Sequence, residues 1–256
     1  MNRRQQTELA GATISEHDGV RYLHLGTPWV QGAMRIRKPR QIELEYVQRM
    51  MAWMLWRPTP ALARGHAVQL GLGGAAITRF THQVLRMKTT VVELNPTVIA
   101  ACRLWFQLPP DDARLTVLEG DAGAWVADAA NLQSADVLCV DLYDHEAAAP
   151  VLDDAAFYAG CRGVLADGGL MTVNLFGRDA SFERSAAAVA ASFGPDQVWQ
   201  LAPTREGNAV LVAARGVEVP DREALTARAE AIEARTGLPA RKWLRLVRPY
   251  QPSSSG

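Results

Sequence analysis

Short apolar runs alternate with segments of helical periodicity from residue 67 onward. The strands that these runs predict are 67–70, 90–94, 115–118, 135–140 and 170–176. The helices predicted between and after them are 75–86, 97–106, 124–130, 155–165 and 181–193. Strands and helices that alternate with short links are typical of an α/β domain, in which a mostly parallel sheet carries helices on both faces.

The first part of the chain has a strand pattern of another kind. Apolar and polar positions alternate through residues 12–36, and Asp18-Gly19 lies between two apolar runs. An Asp-Gly dipeptide in that setting favours a hairpin, and residues 30–36 add a third strand. We therefore expect a small antiparallel β lobe over residues 1–40.

Helical patterns also flank the alternating region. Residues 41–56 lack Gly and Pro and carry apolar residues at helical spacing, and Pro58 ends the pattern. Near the other end, the pattern predicts an antiparallel strand pair over 198–201 and 209–213, followed by a helix over 221–235. We expect a main domain over 41–250 and a flexible tail over 251–256.

Composition narrows the range of functions. The chain has 27 Lys and Arg against 27 Asp and Glu, so it lacks the basic excess that is usual in nucleic-acid binders. No apolar run reaches the roughly 18 residues that a membrane span needs, and the polar N-terminus predicts no secretory signal. Three widely spaced cysteines predict neither disulfides nor a zinc site. We therefore expect a cytoplasmic protein that binds neither nucleic acid nor membrane.

Glycines or acidic residues follow each of the first four predicted strands. They are Gly71, Gly73 and Gly74 after the first strand, Glu93 at the end of the second, Asp121 after the third, and Asp141 and Asp144 after the fourth. Ligands of an open parallel sheet bind outside the carboxyl ends of the strands. Glu93 follows Gly71 by 22 residues, a spacing that suits an acid binding ribose hydroxyls next to a glycine loop. The pattern predicts nucleoside binding, and the loop lacks the lysine of a triphosphate site.

Several segments resemble one known family. VVELNP (91–96), LEGDA (118–122) and ADVLCVDLYD (135–144) are similar to motifs of the polyamine aminopropyltransferases, or spermidine synthases. Gln31 and IELEY (42–46) resemble that family's substrate-lobe glutamine and its acid-x-x-Tyr segment. The resemblance implies a Rossmann-like, class I methyltransferase fold behind a small β lobe. It also implies a homodimer.

The resemblance implies a binding site for an S-adenosyl donor in the main domain. Glu93 would hold the ribose hydroxyls, and Asp121 with the backbone near Ala122 would bind the adenine amino group. Gly71 and Gly73 belong to the loop that approaches the donor. The donor would be decarboxylated S-adenosylmethionine, and no metal is implied.

The same resemblance implies an amine acceptor such as putrescine. Asp141 would be the catalytic carboxylate, Asp144 would hold the amine, and Gln31 and Tyr46 would line its pocket. An alkyl ammonium has a pKa near 10.4 and cannot attack carbon while it is protonated. A carboxylate within hydrogen-bond reach can take its proton, which agrees with the role implied for Asp141.

Two positions depart from the family pattern. Gly74 stands where the family has an aspartate that binds the donor amine, and Arg205 follows Pro203-Thr204 where an aromatic residue is usual. Without that aspartate, backbone N–H groups could bind the carboxylate of intact S-adenosylmethionine, and Arg205 could bind an anionic substrate. The first alternative is therefore an S-adenosylmethionine-dependent methyltransferase of unknown substrate. The second is a non-catalytic nucleoside-binding or scaffold protein.

Overall fold

Two β-sheets organise the chain in a computed structural model that describes residues 9–142, 150–176 and 180–251. The smaller sheet is antiparallel and contains β1 (Ala12–His17), β2 (Val20–Leu25) and β3 (Gly32–Arg35) in that order. Asp18 and Gly19 both have positive φ angles, of 49° and 72°, as a two-residue hairpin turn requires. The predicted β lobe is therefore present.

The larger sheet has eight strands in the order β11-β9-β10-β8-β7-β4-β5-β6. The strands are β4 (His66–Leu70), β5 (Lys88–Glu93), β6 (Leu115–Glu119), β7 (Ala135–Val140), β8 (Leu165–Phe176), β9 (Val198–Leu201), β10 (Asn208–Ala214) and β11 (Val247–Pro249). The first five pair in parallel, and β10 is antiparallel to both β8 and β9. Because the chain leaves β4 towards β6 and returns to β7 on the other side, the crevice between the ends of β4 and β7 is the topological switch point.

Helices cover both faces of this sheet, as the sequence pattern predicts. They are α1 (Glu45–Met50), α2 (Ala76–Arg79), α3 (Pro96–Trp105), α4 (Ala122–Ala127), α5 (Ala155–Val164), α6 (Ala180–Phe193), α7 (Arg222–Thr236) and α8 (Ala240–Leu246). One core cluster joins α7 and α8 to one face of the sheet, and a second joins α4, α5 and α6 to the other. None of the helices in the described ranges is long and apolar enough to cross a membrane.

The β lobe packs on the main sheet through a third core cluster. Leu23 and Met34 of the lobe are fully buried with Leu72 of the glycine loop and with Cys102 and Phe106 at the end of α3. Apolar burial of this kind holds the small sheet against the main domain. The lobe therefore lies over the glycine loop at the carboxyl ends of the strands.

Two predicted helices are interrupted. The helix expected over 41–56 begins only at Glu45 and continues from Met51 to Trp56 as a 3-10 helix. Those six residues are at most 4 % exposed, so packing on all sides overrides the local preference for an α-helix. The helix expected over 75–86 becomes a π-helix at Phe80–Val84, where the Thr81 hydroxyl donates to the carbonyls of Ile77 and Thr78.

The buried 3-10 segment offers a matched test of the core. Leu55 is 0 % exposed and Leu104 is 76 % exposed. We expect Leu55→Ala to lower the free energy of unfolding by about 2–5 kcal/mol, because it leaves a cavity. The control Leu104→Ala should stay within about 0.5 kcal/mol of the unmodified protein. Urea denaturation measures both values, and equal losses would contradict the assigned burial.

Candidate active site

A cavity of about 260 Å³ opens at the carboxyl ends of the parallel strands. Eight of the residues predicted for the site line it: Gln31, Tyr46, Gly71, Gly73, Glu93, Asp121, Ala122 and Asp141. Gly74 lines a smaller neighbouring cavity. Arg205 is exposed on the turn before β10 and is not among the described residues that line either cavity. Asp144 lies outside the described residues.

Gly71 lets the ends of β4 and β7 meet. Its φ angle is +83°, and a Cβ atom there would lie 2.1 Å from the carbonyl oxygen of Asp141. The Gly71 N–H donates to the Val92 carbonyl at 2.9 Å, and the Asp141 N–H donates to the Leu70 carbonyl at 2.9 Å. These contacts place the glycine loop and Asp141 side by side in the crevice, and only glycine fits there.

Two buried polar side chains that the sequence analysis missed hold the glycine loop. Gln69 donates to the carbonyl of Gly71 at 2.6 Å and accepts from the Thr78 hydroxyl at 2.6 Å. Arg79, which is 1 % exposed, donates to the carbonyl of Gly74 at 2.7 Å. Burial lowers the pKa of Arg79 to about 10, so the guanidinium stays charged at neutral pH. The sequence did contain a signal for Gln69, because it is a polar residue in the otherwise apolar predicted strand 67–70.

The position of Gly74 is decided by the β lobe. A Cβ atom on Gly32 would lie 2.1 Å from the Gly74 nitrogen, so the two backbones are in direct contact. A Cβ atom on Gly74 would in turn lie 3.1 Å from the Gly32 Cα and the Ala33 nitrogen. An aspartate at position 74 would therefore press against β3, which gives a packing reason for the glycine.

Glu93 is held by backbone donors at the end of β5. One carboxylate oxygen accepts from the Leu72 N–H at 2.7 Å, and the other accepts from the Asn95 N–H at 2.8 Å. Burial raises the pKa of Glu93, and these backbone hydrogen bonds oppose the rise. A carboxylate offers about four acceptor sites, so Glu93 can also accept from a hydroxyl group of a ligand.

Asp121 has a structural role as well as a place in the cavity wall. Its carboxylate accepts from the Ala124 N–H at 2.7 Å and caps α4, which begins at Ala122. The side chain is exposed towards solvent and the cavity. The cap fixes the direction of the carboxylate at the rim.

Asp141 receives hydrogen bonds on both oxygens. Asn174 of β8 donates to Oδ1 at 2.9 Å, and the Tyr46 hydroxyl of α1 donates to Oδ2 at 3.2 Å. Burial raises the pKa of Asp141 to about 6, and the two hydrogen bonds oppose the rise. At neutral pH the group is mostly a carboxylate and is more basic than an ordinary one, as a proton acceptor should be.

The charge of the cavity has one sign. Its described lining contains three carboxylates, those of Glu93, Asp121 and Asp141, and no Lys, Arg or His. Across the described ranges, no group of three or more His, Cys, Asp or Glu side chains is arranged to hold a metal ion. The site therefore complements a cationic ligand.

An α/β sheet with a glycine loop and carboxylates at its switch point is typical of a nucleoside-binding enzyme. The model of the spermine/spermidine synthase domain matches residues 70–179. The polyamine aminopropyltransferase of Neisseria meningitidis is 31 % identical over 201 residues, which cover 78 % of this chain and 74 % of the relative. The chain therefore belongs to the polyamine aminopropyltransferase family and is a transferase.

Solved structures agree on the fold. A probable spermidine synthase from Corynebacterium glutamicum superposes with a TM-score of 0.66 at 19 % identity, covering 98 % of this chain and 99 % of the other. Human methyltransferase-like protein 13 superposes with a TM-score of 0.67 at 20 % identity, covering 83 % of this chain and 97 % of the other. The class I methyltransferase fold predicted from the sequence is confirmed.

The Gly71 contact can be tested with a matched pair of Gly→Ala variants. Gly71→Ala should lose more than about 1 kcal/mol of stability, since φ is positive and the methyl group meets the Asp141 carbonyl. Gly120→Ala also changes the cavity lining, but its nearest neighbour would be Val92 at 3.9 Å, so it should be tolerated. Thermal unfolding compares the two, and equal stability would contradict the close approach.

The raised pKa of Asp141 predicts a pH-dependent gain in stability on removing its charge. The folded protein binds this proton more tightly than the unfolded chain, so the stabilisation is full below about pH 4 and is lost through about pH 6. Asp141→Asn avoids that loss. Relative to the unmodified protein, its free energy of unfolding should rise by about 1–3 kcal/mol between pH 4 and pH 8. Parallel pH curves in urea denaturation would argue against a buried, destabilised carboxylate.

Proposed function

We propose that this protein transfers the aminopropyl group of decarboxylated S-adenosylmethionine to putrescine or a related amine. The observation that carries the proposal is the cavity itself, where three carboxylates and no cationic side chain form the charged part of the described lining. The reaction brings together a sulfonium donor and a protonated amine, and both are cations. Family membership supports the same chemistry.

The charge of the lining favours the decarboxylated donor. Decarboxylated S-adenosylmethionine carries a sulfonium and an ammonium, whereas intact S-adenosylmethionine adds a carboxylate that the three acids would repel. We assign the ribose hydroxyls to Glu93, whose carboxylate lines the cavity and can accept a further hydrogen bond. The adenine would lie against Asp121 and Ala122 at the start of α4, beside the backbone of the glycine loop.

Asp141 is the proposed base. Its carboxylate takes one proton from the acceptor ammonium, which frees a nitrogen lone pair. That lone pair forms a bond to the aminopropyl carbon next to sulfur while the carbon–sulfur bond breaks, and methylthioadenosine leaves with the electron pair. Tyr46 and Asn174 hold the carboxylate in place, and Gln31 lies in the same wall. Asp144 stays a proposed amine ligand on the basis of the resemblance.

Neither residue that favoured a methyltransferase lines the main cavity. Gly74 packs against the backbone of β3, and the exposed Arg205 is outside the described cavity walls. No specific observation favours the non-catalytic alternative. Further proposals are a homodimer, which rests on the resemblance alone, and a cytoplasmic location, which rests on cysteine use. The division at residues 40 and 250 also stays a prediction.

Calorimetric titration of the two donors tests the proposal. We expect decarboxylated S-adenosylmethionine to bind at least tenfold more tightly than S-adenosylmethionine, because the acids repel the extra carboxylate. Mixed with putrescine, it should yield methylthioadenosine and spermidine. Asp141→Asn should bind the decarboxylated donor within a few-fold of the unmodified protein, yet lose about 10²–10⁴-fold in turnover.

The exposed acid Asp196 provides the control, and Asp196→Asn should leave both binding and turnover unchanged. Tighter binding of intact S-adenosylmethionine would overturn the donor assignment. Full turnover in Asp141→Asn would remove the base from the mechanism.

A further inference from the structure

A line of hydrogen bonds runs from the first residue of β10 to the carboxylate of Asp141. Asn208 donates from Nδ2 to the Asn174 side-chain oxygen at 3.1 Å, and Asn174 donates from its own Nδ2 to Asp141 at 2.9 Å. Asn208 opposes Phe176 in the β8–β10 register, so Asn208 and Asn174 are diagonal neighbours on one face of the sheet. The three side chains therefore form one connected network across three elements.

The backbone of Asn208 is itself fixed. Thr204 donates its N–H to the Asn208 carbonyl at 2.8 Å, and its hydroxyl accepts from the Asn208 N–H at 3.3 Å. Thr204 is 4 % exposed and Asn174 is 1 % exposed. These contacts fix the backbone from which the Asn208 side chain reaches Asn174.

We infer that Asn208 is a positioning residue, which keeps the Asn174 amide turned so that its NH₂ group, and not its oxygen, faces Asp141. An asparagine amide has nearly the same shape in its two orientations, but one end donates and the other accepts. A carboxylate only accepts, so a reversed Asn174 would place two acceptors against each other. The donor from Asn208 satisfies the Asn174 oxygen only in the productive orientation.

This arrangement affects the proton affinity of Asp141. The hydrogen bond from Asn174 lowers the pKa of Asp141 against the effect of burial. Loss of the Asn208 donor should weaken that bond and raise the pKa. The other titratable groups around Asp141 in the described structure are Tyr46, Cys139, Glu93 and Asp121, and a substitution at Asn208 removes none of them.

The inference rests on the proposed function for its kinetic test only. Asn208→Leu removes the N–H group that donates to Asn174 and adds no charge. In this variant the acid limb of the pH–turnover profile should move up by about half a pH unit or more. The Km for the donor should stay within about twofold, and turnover should recover at high pH. A merely structural role would lower turnover at every pH without moving the limb.

A double-mutant cycle shows whether Asn208 acts through Asn174. Asn174→Leu alone should raise the pH midpoint of the acid limb at least as far as Asn208→Leu does. Adding Asn208→Leu to Asn174→Leu should then move that midpoint no further. Additive shifts would overturn the inference. Asn208→Ala repeats the test without added bulk should the leucine variant fail to fold, and Glu206→Gln on the same exposed turn should leave the midpoint unchanged.

Carbon-13 NMR of the aspartate carboxyls separates this inference from the proposed function. The Asp141 resonance, assigned by its loss in Asp141→Asn, reports the titration without any turnover. An upward shift of the Asp141 midpoint in Asn208→Leu, together with no aminopropyl transfer by the unmodified protein from any donor, would support the positioning role and refute the proposed reaction. An unchanged Asp141 midpoint in an active Asn208→Leu protein would refute the positioning role alone.

Discussion

The approach of two backbones at the switch point sets the position of everything else in the site. The end of β4 reaches the end of β7 because Gly71 has no side chain, and a single methyl group would fall 2.1 Å from the Asp141 carbonyl. Parallel pairing of β4 with both β5 and β7 brings Glu93 and Asp141 to the same edge. The carboxylates of the cavity are thus placed by strand register, with the glycine loop between them.

Burial gives the central carboxylate its chemistry. A carboxyl group removed from water holds its proton more tightly, and the pKa of Asp141 reaches about 6 even with hydrogen bonds on both oxygens. Without those bonds the pKa would be higher, and a smaller fraction of the group would be ionised at neutral pH. Without burial it would be a weaker base. The balance leaves Asp141 charged, oriented and able to accept a proton, at some cost in folding stability.

The β lobe contributes more than a cover. Its strand β3 meets the glycine loop at Gly32 and Gly74, backbone against backbone, while Arg79 binds the Gly74 carbonyl from the other side. A side chain at position 74 would press against this strand, since its Cβ atom would lie 3.1 Å from the Gly32 Cα. Gln31 and Asp141 line both the main cavity and the smaller cavity beside Gly74.

Local patterns were sufficient for the order of strands and helices and for the acids at the strand ends. Strand periodicity predicted 135–140 and 198–201 as they stand in the structure, and the sheet topology then required Glu93 and Asp141 to share an edge. Those inferences depend on neighbours a few residues apart, which a sequence displays directly. The resemblance to the family rested on the same short segments.

Tertiary packing decided the rest, because its contacts join residues distant along the chain. It converted 51–56 into a 3-10 helix by burying it on every side, and it placed Arg205 outside the cavity. Asn174 lies 33 residues from Asp141, and no periodicity marks it as a partner. The sequence suggests that Gly74 belongs to an open donor-binding loop. In the structure, Gly32, which is distant in sequence, lies against it.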